Sequence, residues 1–276
     1  MDREKVMKLQ HSQLSILLQV DQYCKNLGID YFLAFGSLLG AIRHSGPIPW
    51  DADIDIVLFR SDYEKLRKYC ISNNGGRYFY SDYTTDKNHI SPHALLIDKQ
   101  SHIIYSKKKQ SRYNIRYDGV YIDIFPMDQT SIDIELRKKQ AQRIMKIKRL
   151  IRLKLAAVYV GKTNLIEKGV KFIISDFLRP LSFQYLGKLL SKEQQKYNVD
   201  NSGLYVIPAD DDCFNRVVTR DYYYPVRKVL YDEYTVSIPN KAEKILEQRY
   251  GEYMILPPVD ERWNYFDAVI EDVVLD

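Results

Sequence analysis

The sequence predicts an α/β protein of the α+β type, a mixed sheet carrying a helical insertion and a C-terminal elaboration. Three observations predict it. Up to about residue 130, short runs with strand-like alternation sit between stretches of helical period. From Ile132 to about Leu190 the period is helical, Lys and Arg are frequent, and only Gly161 and Pro180 punctuate the run. The remainder returns to mixed structure. Residues 1–130 are therefore expected to form a core with an N-terminal helix, and residues 131–276 a helical region plus a mixed segment that completes the same functional unit.

The elements follow in order. Leu14, Leu17, Val20, Tyr23, Cys24 and Leu27 repeat near 3.6 residues and Gly28 supplies a stop, so the first segment is a helix. Tyr31 to Ala34 reads as a short strand ending at Gly36-Ser37; the apolar stretch Leu38 to Ile42 follows, and Gly46, Pro47 and Pro49 force a loop. Asp53 to Phe59 is a second strand, with Ile54, Ile56 and Leu58 alternating against Asp53 and Asp55. Ser61 with Glu64 three residues on is a capping-box signature for a helix through about Ile71. Short strands are expected around Ala94 to Ile97, His102 to Tyr105 and Tyr121 to Phe125. Near the end come a strand at Tyr234 to Ile238, Pro239 as a helix-start signal, and a helix from Lys241 to Tyr250 capped by Gly251.

Composition narrows the function classes. At 276 residues and 45% hydrophobic content the chain can bury a large core. It has no run of about 18 apolar residues, and the polar stretch Met1 to Leu9 is no signal peptide, so a cytoplasmic location is expected. Cys24, Cys70 and Cys213 are widely spaced without a CxxC pair, which argues against a disulfide framework and a cysteine zinc site. A net charge of +5 favours anionic partners such as nucleotides, phosphorylated polymers or anionic lipid. With so modest a surplus and no RNA-binding motif, no nucleic-acid partner is expected.

The sharpest feature is Trp50-Asp51-Ala52-Asp53-Ile54-Asp55. Strand alternation would put Asp51, Asp53 and Asp55 on one side, with neighbours about 7 Å apart, where they raise one another's pKa unless a cation lies among them. A hard divalent ion answers that repulsion, and Mg²⁺ completes its shell with water and substrate phosphates. Upstream, Gly36-Ser37 stands at a strand-to-helix turn, where backbone N–H groups and a hydroxyl can hold a phosphate. A strand, a Gly-Ser turn and a second strand bearing Asp-x-Asp is the arrangement of nucleotidyltransferase-fold enzymes, which need a third carboxylate on a later strand. Asp123, within Tyr121 to Phe125, offers one and would otherwise be a buried acid without a partner.

The run from Phe35 to His44, then Gly46 and Ile48 to Asp55, resembles the LicD family signature. Ile122 to Asp128 resembles the family's second motif, and Tyr250-Gly251-Glu252-Tyr253-Met254 with Pro257-Pro258 and Arg262 is a third match. Ala52 replaces an acidic residue common in the family, and Trp263-Asn264 stands where a histidine is usual. The resemblance implies transfer of phosphocholine from CDP-choline to a sugar hydroxyl of a cell-envelope glycan: a teichoic acid, lipopolysaccharide or capsule precursor. The alternatives are transfer of ribitol phosphate or glycerol phosphate from the corresponding CDP-alcohol, or a nucleotidyltransferase acting on a small molecule.

In that scheme Asp53, Asp55 and Asp123 would hold one or two Mg²⁺ ions, with Mn²⁺ as a substitute, and Asp51 or Asp123 would accept the acceptor's proton. Arg43 is a candidate phosphate clamp and His44 a weaker one. Trp50 would either stack on the base or anchor its loop. The partners expected are a CDP-alcohol donor and a glycan acceptor, lipid-linked or free. Arg137 to Lys154 combines Ile144, Ile147, Leu150, Ile151 and Leu155 with basic residues, and Lys107 to Lys109 adds another basic run. Such a helix can lie on anionic membrane at the inner face or simply pack with a solvated side. Tyr222-Tyr223-Tyr224 reads as packing more than as a cage for a quaternary ammonium, and His93 and His102, lacking zinc-pair spacing, read as structural.

Overall fold

The computed structural model describes residues 3–105, 119–158, 176–262 and 270–275. It is an α+β fold around one curled mixed sheet. Helix α1 (Arg3–Leu27) buries Leu9, Ile16, Leu17, Val20 and Cys24 on one side, and Gly28 ends it at φ +63°. Strand β1 (Phe32–Leu33) leads to α2 (Phe35–Arg43), then β2 (Asp55–Phe59), α3 (Arg60–Ser72), β3 (Tyr78–Ser81), β4 (Ala94–Asp98), β5 (Ser101–Tyr105) and β6 (Tyr121–Gln129). After them come α4 (Ile134–Val158), α5 (Phe183–Gln194), β7 (Leu204–Val206), β8 (Val218–Thr219), β9 (Arg227–Tyr231), β10 (Tyr234–Ile238), α6 (Ala242–Tyr250) and β11 (Ile270–Leu275).

The sheet runs β1-β2-β6-β4-β3, with β7 on the far end of β6 and β8 beyond it. Among the described strands of this sheet only β2 and β6 are parallel; the other pairs are antiparallel. Ile54, Ile56, Leu58, Ile122 and Ile124 face one core with α1. On the opposite face Val57, Phe59, Phe125 and Met127 pack with Phe32 and Tyr223. Both faces of β2 are thus covered along most of its length, which overturns the simple alternation of a buried and a solvated side. The exception is the Asp55 end, where that second apolar cluster stops.

Several expectations change. Strand β2 starts at Asp55 rather than Asp53, so Asp51 and Asp53 belong to the chain leading into it. The Ser61–Glu64 capping box does not form: α3 begins two residues earlier than that cap implies, with Phe59 as its N-cap and no side-chain cap, and Glu64 accepts from Arg60 instead. Strands β3, β7, β8, β9 and β11 were not foreseen. They are short or mixed in polarity; β11 pairs with β5 from far off in sequence, whereas β9 pairs with its hairpin neighbour β10. In the basic region α4 packs Ile144 and Ile151 against Phe183, Leu186 and Leu190. Gly161, Lys107 to Lys109 and Trp263-Asn264 lie outside the described residues.

Candidate active site

Parallel pairing of β2 with β6 puts Asp55 opposite Asp123, and Asp53 precedes them on the same face. One carboxylate oxygen from each of Asp53, Asp55 and Asp123 lies within 4.8 Å of the others. Helix α2 is sewn to this edge. The Asp55 N–H donates to Ser37 Oγ at 2.8 Å, and the Ala34 N–H donates to the Asp55 carbonyl at 2.9 Å. Phe35, between them, adopts φ +47°, a left-handed conformation uncommon for an L side chain, and its ring meets Phe125 edge-on. Ser37 is therefore buried and its oxygen already accepts a backbone bond. Gly36 has a different role: a Cβ there would stand 2.4 Å from Asp51 Oδ2, so only glycine lets the Asp51 carboxylate lie against the first turn of α2.

The loop carrying Asp51 is held by α1. Gln10 Nε2 donates to the Ile48 and Asp51 carbonyls, and Gln13 Nε2 donates to those of Ala52 and Tyr121. Sequence reasoning passed over both. Gln13 is 2% exposed within the apolar stripe of α1, and a polar residue in such a stripe is the signal that was available.

The acids are mutually frustrated. Burial pushes the Asp51 carboxyl up, although hydrogen bonds from Asp53 and the Ala52 amide oppose this. Asp53 keeps accessible surface yet sits under dense protein, and that desolvation, followed by the charges of Asp51 and Asp123, pushes it well above the usual carboxylate range. Asp55, buried, is raised by desolvation and then by Asp53, Asp123 and Asp51, with Arg249 opposing. A divalent cation among these oxygens would relieve the repulsion, and an all-carboxylate donor set suits a hard ion.

Opposite the acids, a cleft of about 470 Å³ is walled by Lys148 and Arg152 from α4 and by Arg249 from α6. Lys148 Nζ donates to Asp211 Oδ1 at 2.7 Å, Arg152 to Asp211 at 3.3 Å, and Arg249 to Asp210 at 2.6 Å. His93 also lines it, with Nε2 2.8 Å from Asp123 Oδ1. The lack of zinc-pair spacing had set His93 aside as structural, and the sequence reading gave these three cations no role at the site, because nothing local ties them to the acids.

The remaining candidates do not join this cleft. Arg43 Nε donates to His44 Nε2 at 3.0 Å and Nη1 to the Tyr253 carbonyl at 2.8 Å. Trp50 meets the edge of the His44 ring and lies under the Arg262 guanidinium, 5.1 Å from the ring centroid. Together with Gly36 and Asp51, Arg43 and Trp50 line a second cleft of about 640 Å³. Tyr223 and Tyr224 pack against Phe32 and Phe59 in the core, and Lys241 stands over Tyr222.

Comparison with known proteins fits this geometry. Residues 28–148 match the LicD/FKTN/FKRP nucleotidyltransferase domain, a span that takes in Gly36, the three clustered acids and Lys148. The chain is also 27% identical to the lipopolysaccharide cholinephosphotransferase LicD of Haemophilus influenzae, over 94% of this chain and 96% of that protein. Residues 28–148 are thus LicD-like, and the likeness to LicD extends along most of the chain. A shorter similarity, 49% over 43 residues, links it to the ribitol 5-phosphate transferase FKRP of mouse and human, covering 14% of this chain and 9% of theirs. Within this LicD-like chain the signature divides in two: Asp53 and Asp55 face the basic cleft, while Arg43, Trp50 and Asp51 face the second. In the second motif Asp123 joins the acids, whereas Asp128 is fully buried and paired with Arg60.

Proposed function

We propose that this LicD-like phosphotransferase moves phosphocholine from CDP-choline to a sugar hydroxyl of a cell-envelope glycan. The observation that carries the proposal is the cleft in which three clustered carboxylates face Lys148, Arg152 and Arg249. Facing acids and cations suit a pyrophosphate bridged to a metal, and similarity to a lipopolysaccharide cholinephosphotransferase along 94% of the chain supports phosphocholine as the group moved. The 43-residue likeness to ribitol 5-phosphate transferases favours ribitol phosphate as the alternative.

Asp53, Asp55 and Asp123 would hold Mg²⁺, which when bound neutralises charge on the pyrophosphate. Lys148, Arg152 and Arg249 would bind the donor's phosphate oxygens, exchanging part of their hold on Asp210 and Asp211. His93 fixes the orientation of Asp123. The acceptor oxygen would form a bond to the choline-bearing phosphorus as the bond to the cytidine monophosphate oxygen breaks. Asp51, raised in pKa and open to the second cleft, would take the acceptor's proton. Among the described residues no helix is long and apolar enough to cross a membrane. The carrier is a cytoplasmic nucleotide, so we place the reaction on the cytoplasmic side, with a lipid-linked acceptor reached at the membrane face.

The test is release of cytidine monophosphate from CDP-choline, CDP-ribitol and CDP-glycerol with Mg²⁺, with and without a cell-envelope glycan extract. Release that needs CDP-choline and the extract is expected. Turnover with CDP-ribitol alone would replace the alcohol, and pyrophosphate release from a nucleoside triphosphate in its place would overturn the reaction class.

A further inference from the structure

The second cleft carries a cation, Arg43, that the proposed donor chemistry does not use. It shares no lining residue with the basic cleft, and Asp51, hydrogen-bonded to Asp53, stands between the two sets of acids and cations. Arg43 lines it, while His44 and Arg262 line a neighbouring cleft of about 980 Å³, which also holds Glu4 and Asp232 and meets the second cleft at Trp50. The two arginines are tethered through neutral acceptors: Arg43 to His44 Nε2 and the Tyr253 carbonyl, Arg262 to the Pro257 carbonyl at 2.8 Å. Among the described residues neither makes an ion pair. Lys148, Arg152, Arg249, Arg60, Arg67 and Arg216 each do. The cluster is also self-repelling. Burial, and next the charge of Arg262, holds the Arg43 guanidinium below its usual range; burial and then Arg43 and Arg262 do the same to His44.

Holding like charges together in a partly desolvated corner is unfavourable unless an anion arrives, and two guanidinium groups match phosphate oxygens in geometry. The Asp51 and Glu252 carboxylates also line this cleft, but neither pairs with the arginines. Tyr250 and Tyr253 add flat apolar surface of the kind a sugar ring covers. We infer that Arg43, His44 and Arg262 form a phosphate site for the acceptor, so that the acceptor is a phosphorylated sugar rather than a neutral one. This rests on the transferase reading above. It would bring the acceptor to Asp51 from the side away from the donor, as an in-line displacement requires.

The experiment is calorimetric titration of the full chain, in chelator, with glucose 1-phosphate, glucose, CDP and anionic phosphatidylglycerol vesicles. Glucose 1-phosphate should bind at least about tenfold more tightly than glucose, and Arg43→Gln and Arg262→Gln should each weaken it by about tenfold or more. Arg249→Gln should weaken CDP and leave glucose 1-phosphate binding in place. Arg262→Gln keeps the test open if Arg43→Gln fails to fold, since Arg43 also ties α2 to the Tyr253 carbonyl. Equal binding of glucose and its phosphate would overturn the site. So would loss of sugar-phosphate binding in Arg249→Gln alone, or vesicle binding that depends on the two arginines with no sugar-phosphate binding. None of these titrations requires turnover, so their failure would leave phosphocholine transfer to a neutral sugar standing.

Discussion

Asp51 Oδ2 occupies the space that a Cβ on Gly36 would need, 2.4 Å away. This contact couples the Gly-Ser turn to the first aspartate of the signature. Gly36→Ala should displace the carboxylate and lower turnover by about 100-fold, the scale of a misplacement near 1 Å, with a small change in melting temperature. Cytidine monophosphate release by the folded variant measures it. Near-normal rates would mean that Asp51 need not sit against α2.

Replacing Asp53 with Asn removes one member of a repelling cluster without touching the Asp55–Ser37 backbone bond. Melting in chelator should rise, by about 1 kcal/mol of stability, while transfer is abolished. Added Mg²⁺ should raise the melting temperature of the parent protein but not of Asp53→Asn. Equal Mg²⁺ shifts in both would sink the metal assignment.

His93 Nε2 lies 2.8 Å from Asp123 Oδ1, so His93→Ala should reduce kcat by about 10- to 100-fold, as loss of a group orienting a metal ligand does. His93→Asn should recover part of it. Activity of His93→Ala within about twofold of the parent would leave the contact without a role.

Arg60 and Asp128 form a two-pronged pair, 2.7 and 2.6 Å, with Asp128 fully buried and also bonded by Asn198. Arg60→Met alone should cost about 3–5 kcal/mol in urea unfolding, because it strands a buried charge. Adding Asp128→Leu should restore much of that. A double variant no better than the single would assign the loss to packing around Arg60.

Burial alone would raise the Asp82 carboxyl, but the Thr84 hydroxyl and the Arg67 guanidinium, which donates to it at 2.6 Å, outweigh burial and hold it below its usual range. The folded-state value is the lower one, so this stabilisation is complete above the unfolded value of about 3.9 and drains away as pH falls through the folded one. The melting-temperature gap between the parent and Asp82→Asn should therefore narrow from about pH 6 to about pH 3. A constant gap would show that Asp82 acts through shape alone.

The chain's chemistry was legible in its residues. Asp53, Asp55 and Asp123 are acids on strand-like segments among Ile, Val and Phe, where an unpaired charge is costly, and that local contradiction is what motivates the cation proposed there. The α+β class and most helices followed from periodicity, with Gly28 and Gly251 marking ends at φ +63°. Periodicity describes one element at a time and carries no information on which elements meet. Only the parallel register of β2 and β6 set Asp55 beside Asp123, and only the packing of α4 and α6 brought Lys148, Arg152 and Arg249 opposite them. The same limit separated Arg43 from Asp53 and Asp55: α2 leaves it beside Tyr253 and Arg262, on the second cleft. Residue type determined what each side chain can do, and long-range pairing and packing decided where it does it.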